Sequence, residues 1–371
     1  MAATPRLSDR RVRLIRQTAH LLHRPRRRSV PDVVRHLVGV QAQDSFAAPL
    51  AIRARAPRLT VRDVSRALVE ARSIVRTWAM RGTLHLLAAE DVPWIVPLTA
   101  EASLVGSHRR LAQEGVTGDQ AERAVRSIDR MLAAHGPLTR AEIVERLRPT
   151  RIPTAGQAAI HLIRLAALQG SLCYGPDRDG EPTFAAVRDW LEPRPGAPID
   201  RDHAPARLAE RYLAAHAPAA PEDFASWSGL RAGDARRGWE QLAGRLREVE
   251  VRGKRLWTLR SRSEPPAVRA VRLVPAFDPY LLGWKGRELS LPKEHERKVF
   301  PGGGLLRPAV VSDGLVVGTW TVRRRTDPLR VSIGSFSRTG PGQRRAVTDD
   351  AEDVARFLDR AAGPVVEWDE P

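Results

Sequence analysis

The sequence predicts an α+β protein: three tandem winged helix-turn-helix units followed by a C-terminal β-rich scaffold. Three observations carry this expectation. A run of helical periods followed by a two-strand hairpin recurs three times before residue 262. From residue 271 onward, short alternating segments replace the helical period. The 371 residues, 42% hydrophobic and 28% charged, suffice for several packed cores. The units divide at residues 1–117, 118–200, 201–262 and 263–371. Similar units in tandem suggest one elongated, curved body rather than separate lobes.

In the first unit, Ser8 caps a helix over residues 9–22, with Val12, Leu14, Ile15, Ala19 and Leu22 on its buried stripe. Arg24-Pro25-Arg26-Arg27-Arg28 is a basic loop. Ser29 caps the next helix, with Pro31 in its first turn, and the helix ends near Val38. Helices follow over residues 46–55 and 61–71, the second capped by Thr60. Residues 73–78 alternate as a strand, Arg81-Gly82 is turn chemistry, residues 83–87 return, and residues 90–99 form a further helix.

The second unit repeats the plan with helices over residues 119–135, 140–147 and 155–169. Thr139 and Glu142 make a capping box, and a hairpin covers residues 171–185. The third has helices over residues 202–217, 220–229 and 232–242, then a hairpin over residues 247–259. A linker over residues 261–266 leads into the scaffold. There, residues 271–274, 308–311, 315–325 and 329–333 read as antiparallel strands, and residues 349–362 as a closing helix.

Composition excludes several classes. No apolar run approaches the ~20 residues of a membrane span. The first residues lack the apolar region of a secretory leader, so a cytoplasmic, nucleoid-associated location is expected. Cys173 is the only cysteine, which rules out an intrachain disulfide and a cysteine-rich zinc site. His20 and His23 have no ligand cluster beside them, so no metal is expected, and Gly302 to Gly304 lack the Lys-Ser/Thr of a phosphate loop. Net charge is +18, and the only lysines are Lys254, Lys285, Lys293 and Lys298. Such a field favours a polyanion, nucleic acid first. Part of the arginine excess has the look of a GC-rich coding bias, yet arginine binds phosphate bidentately whatever its origin.

The chemistry centres on Gly39-Val40-Gln41-Ala42-Gln43-Asp44-Ser45. On an α-helix Gln41 and Gln43 would point about 200° apart. They share a face only where the chain is extended or turning. A carboxamide orients water and donates hydrogen bonds but is a feeble base, so the pair suits a reaction with a ready leaving group. Asp44 is either a carboxylate helper or, preferentially, a cap for the next helix. Arg81 and His85 lie in the first hairpin. Arg81 is read as a DNA contact; His85 reads first as a structural histidine and second as an auxiliary at the site. Asp278, before a proline, reads first as a turn-former and second as an auxiliary facing the DNA. Arg323, Arg324, Arg325 and Arg330 surround the tip of a scaffold hairpin and are candidate groove contacts.

Gln41-Ala42-Gln43-Asp44, the stretch TWAMRGTLHL (residues 77–86) and PAFDPYLLGW (residues 275–284) together resemble the winged-helix DNA glycosylases typified by AlkZ, an azinomycin-resistance enzyme, and by the crosslink glycosylase YcaQ. The resemblance covers nearly the whole chain. It implies three winged helices on a β-rich scaffold, curved into a C that holds duplex DNA. It also implies hydrolysis of the N-glycosidic bond of N7-alkylated purines, crosslink unhooking included, by a Gln-apolar-Gln or Gln-apolar-Asp motif. Gln41 and Gln43 match the first form, that of the antibiotic-resistance branch, and so suggest self-resistance.

The chemistry supports this independently. An N7-alkylpurine is cationic and leaves as a neutral base, so no strong acid is needed. Two converging carboxamide oxygens would place a water near C1′ and face the cationic sugar. A purine tied to the opposite strand cannot swing into a snug pocket, so the site is expected on an open surface. No lysine lies near the glutamines in sequence, which points to a monofunctional enzyme, a monomer needing no cofactor. The rival reading is a non-catalytic winged-helix DNA-binding protein, a transcription regulator or lesion-sequestering factor, which leaves the glutamines without a role.

Overall fold

The computed structural model describes residues 4–23, 28–191, 200–261, 269–324, 326 and 328–371. Residues 24–27 of the basic loop, residues 262–266 of the linker and Arg325 lie outside the described residues.

Helix α1 (Asp9–Ala19) starts at Ser8, whose hydroxyl accepts from the Arg11 amide. Helix α2 (Val30–Leu37) opens with a capping box between Ser29 and Asp32. It ends at Val38, with φ 61°, followed by Gly39 at φ 126°. A Cβ on Gly39 would stand 2.9 Å from the Leu87 side chain, so both the close approach and the positive φ require glycine there. This reversal delivers the chain into β1 (Val40–Gln41), then α3 (Ala47–Arg53) and α4 (Val61–Val69). The hairpin β2 (Ile74–Ala79) and β3 (Thr83–Ala88) follows. β1 pairs antiparallel with β3, giving a three-stranded sheet in the order β1-β3-β2.

Helix α5 (Val92–Gln113) is far longer than the expected 90–99, and it runs through Pro97. Burial of Val92, Trp94, Ile95, Val96, Thr99 and Ala100 along its first half outweighs the proline's local cost. Next come α6 (Gly118–His135), β4 (Leu138–Thr139), α7 (Arg140–Leu147), α8 (Ala158–Leu168), β5 (Leu172–Tyr174), β6 (Thr183–Ala186) and α9 (Val187–Trp190). α8 reads AAIHLIRLAAL, apolar on most faces, and packs against α5, α6 and β2. A helix of that composition belongs inside. In a DNA reader the helix at this place would lie in the groove; here it is core.

The third group is α10 (Ala204–His216), α11 (Pro221–Ser228), α12 (Ala232–Glu240), β7 (Leu246–Val251) and β8 (Lys254–Leu259). The scaffold holds β9 (Val271–Val274), α13 (Pro279–Leu282), α14 (Glu296–Val299), β10 (Ala309–Ser312), β11 (Leu315–Arg323), β12 (Arg330–Ser335), α15 (Pro341–Phe357) and β13 (Val365–Asp369). Its sheet runs β13-β12-β11-β10-β9. The expectation of antiparallel strands needs correcting at one edge: β13 pairs parallel with β12. The crossover helix α15 makes this possible, since parallel neighbours need a long connection. No helix among the described residues is long and apolar enough to cross a membrane.

The helix groups do not keep separate cores. Trp78 and Leu84 of the first hairpin pack into the cluster of α6, α7 and α8. Val33, Leu37, Leu50 and Ile52 pack with Leu273, Trp320 and Phe357 of the scaffold. Two buried arginines fasten the same junction. Arg53, fully enclosed, donates to Asp350 at 2.9 Å and to the Leu273 carbonyl at 2.6 Å. Arg55, also fully enclosed, meets both carboxylate oxygens of Asp278 at 2.9 and 2.7 Å.

Removing one partner of such a pair strands a buried charge, whereas removing both does not. Asp278→Leu is therefore expected to cost about 3–5 kcal/mol in urea unfolding. The double variant Arg55→Leu/Asp278→Leu is expected to regain most of that loss.

Candidate active site

Gln41 ends β1, Ala42 is buried, and Gln43 lies in the bend that follows. The Ala42 amide donates to the Leu84 carbonyl at 2.7 Å, which prolongs the β1–β3 pairing by one residue. Both glutamine side chains reach the same neighbouring segment. Gln41 is half-buried and Gln43 is exposed.

Both carboxamides are held by the short segment between Arg81 and Leu84. Gln41 Oε1 accepts from Arg81 Nη2 at 3.2 Å, and Gln43 Oε1 accepts from the Leu84 amide at 3.2 Å. A guanidinium and a backbone N–H can only donate, so the anchored atom is the oxygen in each case. Each oxygen thus has one lone pair beyond this bond, and each side chain has its N–H2 group. Arg76 Nη2 donates to the Ala42 carbonyl at 3.1 Å while its guanidinium lies over the Tyr174 ring, 4.6 Å from the centroid.

Opposite Gln41 in the sheet lies His85. It is buried, and its Nδ1 donates to the Thr83 carbonyl at 3.0 Å, which leaves Nε2 as the acceptor nitrogen. Burial pulls its imidazole down to about 3, with the nearby Arg81 acting in the same direction. His85 is thus a neutral imidazole at any pH near 7.

Asp44 Oδ1 accepts from the amides of Phe46 at 2.8 Å and Ala47 at 3.2 Å, tying the loop to the start of α3. Asp278 is fully buried in its pair with Arg55 and also accepts from the Tyr280 amide at 2.8 Å. Its carboxylate is sealed in the core and presents no surface to a duplex. Arg81 has turned inward: besides Gln41, Nη1 donates to the main-chain carbonyl of Trp227, and burial pulls the guanidinium down to about 10.

The scaffold hairpin reaches the same neighbourhood. The Arg324 guanidinium lies over the Phe46 ring, 4.2 Å from its centroid, three residues beyond Gln43. Arg323 faces Arg330 across the hairpin, and Arg330 pairs with Glu367 at 2.6 Å. Cys173 is buried with its thiol pushed up to about 12, so it is no nucleophile. The lysines contact neither glutamine among the described residues. Sequence reasoning missed the Leu84 amide and the Trp227 carbonyl, because main-chain groups have no residue-type signature. It also missed Arg76, an ordinary strand position in the pattern.

The profile of the AlkZ-like DNA glycosylases matches residues 34–357. The chain belongs to that family. A curated relative, the interstrand DNA cross-link repair glycosylase of Streptomyces sahachiroi, is 30% identical over 341 residues, covering 88% of this chain and 90% of the relative. The solved structure of Streptomyces sahachiroi DNA glycosylase AlkZ superposes with a TM-score of 0.84 at 28% identity, covering 98% of this chain and all of that one. The family match spans the glutamine stretch, the hairpin and the scaffold through α15, the same parts that the site draws together.

Three buried histidines set a pH dependence. His20, His85 and His216 are all enclosed, and desolvation lowers each below 6.5, His85 and His216 to about 3. The unfolded chain then binds these protons first as pH falls. Stability is full above pH 6.5 and is lost below it, down to the folded values. The expected slope is up to about 1.4 kcal/mol per pH unit for each histidine, read from urea midpoints between pH 7 and 5. His85→Gln should reduce that slope by one histidine's share.

Proposed function

We propose that this chain is a monofunctional DNA glycosylase that hydrolyses the N-glycosidic bond of bulky N7-alkylguanine adducts and of interstrand crosslinks, in genotoxin self-resistance or DNA repair. The observation that carries the reading is the anchoring of both Gln41 and Gln43 on one short segment, Arg81 to Leu84, in a chain of the AlkZ-like DNA glycosylase family. The relative named for interstrand crosslink repair supports the choice of lesion.

The arrangement suits that substrate. The lesion is a cation, and its base leaves neutral, so the site has no need of a strong acid. Fixed carboxamide dipoles can order a water at C1′ and follow the charge as it moves from base to sugar. A neutral His85 beside them adds no positive charge against the oxocarbenium-like sugar. Exposure of Gln43 fits a nucleotide met near its duplex rather than one drawn into a closed pocket. Arg323, Arg324, Arg325 and Arg330 are proposed to meet the backbone beside the lesion, with Arg324 carried next to the glutamine loop by Phe46. Asp44 serves by holding that loop. Reaction by water, with no lysine at the glutamines, gives an abasic site without strand cleavage.

The test uses a labelled duplex with one N7-alkylguanine and the same duplex crosslinked by a bifunctional mustard. Each is incubated with wild type, Gln41→Ala and Gln43→Ala, then opened with mild alkali and run on a denaturing gel. Strand breaks that need both enzyme and alkali are expected. They should fall about 10²–10³-fold in either variant while duplex binding is kept. Breaks without alkali would contradict the monofunctional reading. Tight binding with no breaks on either substrate would instead favour a lesion-sequestering protein. Replacing Arg323 or Arg324 with alanine should weaken duplex binding and reduce the salt slope by up to about 0.9 for each phosphate no longer neutralised.

A further inference from the structure

Arg81 is half-buried and is placed unlike the enclosed arginines Arg53 and Arg55. Arg53 and Arg55 close on carboxylates, whereas Arg81 has no carboxylate partner among the described residues. It spends its donors on one side-chain oxygen and one main-chain oxygen. Its backbone is left-handed, φ 59° and ψ 14°, at the tip of the β2–β3 hairpin. The tip is wedged against the loop after α11: a Cβ on Gly229 would stand 2.8 Å from the Arg81 nitrogen. On the other side, Arg164 of α8 donates to the Gly82 carbonyl at 3.2 Å. The hairpin tip is thereby set by the second and third helix groups together, and Arg81 carries that setting to Gln41.

From this geometry we infer that Arg81 is a positioning residue, one that turns the Gln41 carboxamide so that its N–H2 group faces the substrate, and that its hold depends on the Trp227 carbonyl of the third helix group. The inference rests on Gln41 acting in catalysis, as proposed above. An amide is planar, so fixing its oxygen inward sends the N–H2 group the opposite way. A guanidinium on the oxygen also draws electrons from the amide and strengthens its N–H donors.

A donor at this position has a specific use. When the C1′–N9 bond breaks, both electrons go to the purine, and the positive charge of the alkylated ring is neutralised there. Water then forms the C1′–O bond and releases its proton to solvent. An N–H donor on a purine ring nitrogen favours the departing base. A free carboxamide oxygen turned toward that nitrogen would oppose it. Gln41 is thus assigned to the leaving purine, and the remaining lone pair of Gln43 to the water.

The test measures single-turnover rates at saturating enzyme, and duplex Kd, on DNA with one N7-methylguanine. The proteins are wild type, Arg81→Ala, Gln41→Ala, Gln41→Glu and Gln41→Ala/Arg81→Ala. Arg81→Ala is expected to lose about 10²-fold in rate with Kd unchanged. The double variant should be no slower than Gln41→Ala, because Arg81 acts through that side chain. Gln41→Glu keeps the shape and the oxygen but has no N–H, and should be as slow as Gln41→Ala. A fully active Gln41→Glu would overturn the orientation. An Arg81→Ala that raises Kd but keeps its rate at saturation would make Arg81 a phosphate ligand and overturn the inference, as would multiplied losses in the double variant. Should Arg81→Ala fail to fold, Arg81→Lys replaces it. Its point-like ammonium lacks the planar fork whose two nitrogens reach Gln41 and Trp227 separately, so a slowed rate with Kd intact is expected, and a wild-type rate overturns the inference. A Gln41→Ala of undiminished rate would instead sink the catalytic assignment itself.

Discussion

The structure turns on two guanidinium groups that are wholly out of water, Arg53 at the end of α3 and Arg55 just beyond it. An enclosed charge is tolerated only when a partner and further hydrogen bonds replace its water. Arg53 obtains these from Asp350 on α15 and from the end of β9, and Arg55 from Asp278. Helix α3 has accordingly one place to sit against the scaffold. Upstream, Gly39 and the β1–β3 ladder fix the other end of the same short stretch. The loop carrying Gln43 and Asp44 is held between these two fastenings. A loop pinned at both ends keeps its side chains within a narrow range of positions.

The electrostatics of the site follow from the same construction. The chain carries a formal charge of +18, yet the residues paired at β1 and β3 include the Gln41 carboxamide and the His85 imidazole that burial keeps neutral, with the Gln43 carboxamide just beyond. The net positive charge of the chain and the neutrality of these groups are separate features of the molecule. The guanidinium among them, Arg81, is turned to an amide oxygen and a main-chain carbonyl.

Much of the fold was legible because local signals agreed with packing. Caps at Ser29, Thr60 and Thr139 mark helix starts within a residue, and alternation marks the strands of the first hairpin. The expectations failed where long-range packing decides. The two residues of β1 are too few to alternate visibly, and β13 depends on a crossover that no local pattern announces. The helix expected over residues 90–99 runs on to Gln113, an extension that no local signal after Thr99 announces. At the site, residue types were readable and directions were not. The spacing of Gln41 and Gln43 does imply a shared face off the helix. That both oxygens point inward depends on Arg81 and on a main-chain amide. Asp278 and Arg81 look alike in sequence as charged residues in turns, but one is sealed in the core and the other is joined to a glutamine.

The most direct measurement is the free base itself. A duplex with one N7-alkylguanine is incubated with excess protein, and the released base is quantified by mass spectrometry, for wild type and for Gln41→Ala/Gln43→Ala at equal occupancy of the duplex. Release of the alkylated base by the wild type, with release from the double variant falling to the spontaneous rate, is the expected result. Equal release by the two proteins would place the chemistry away from Gln41 and Gln43 and contradict the site described above.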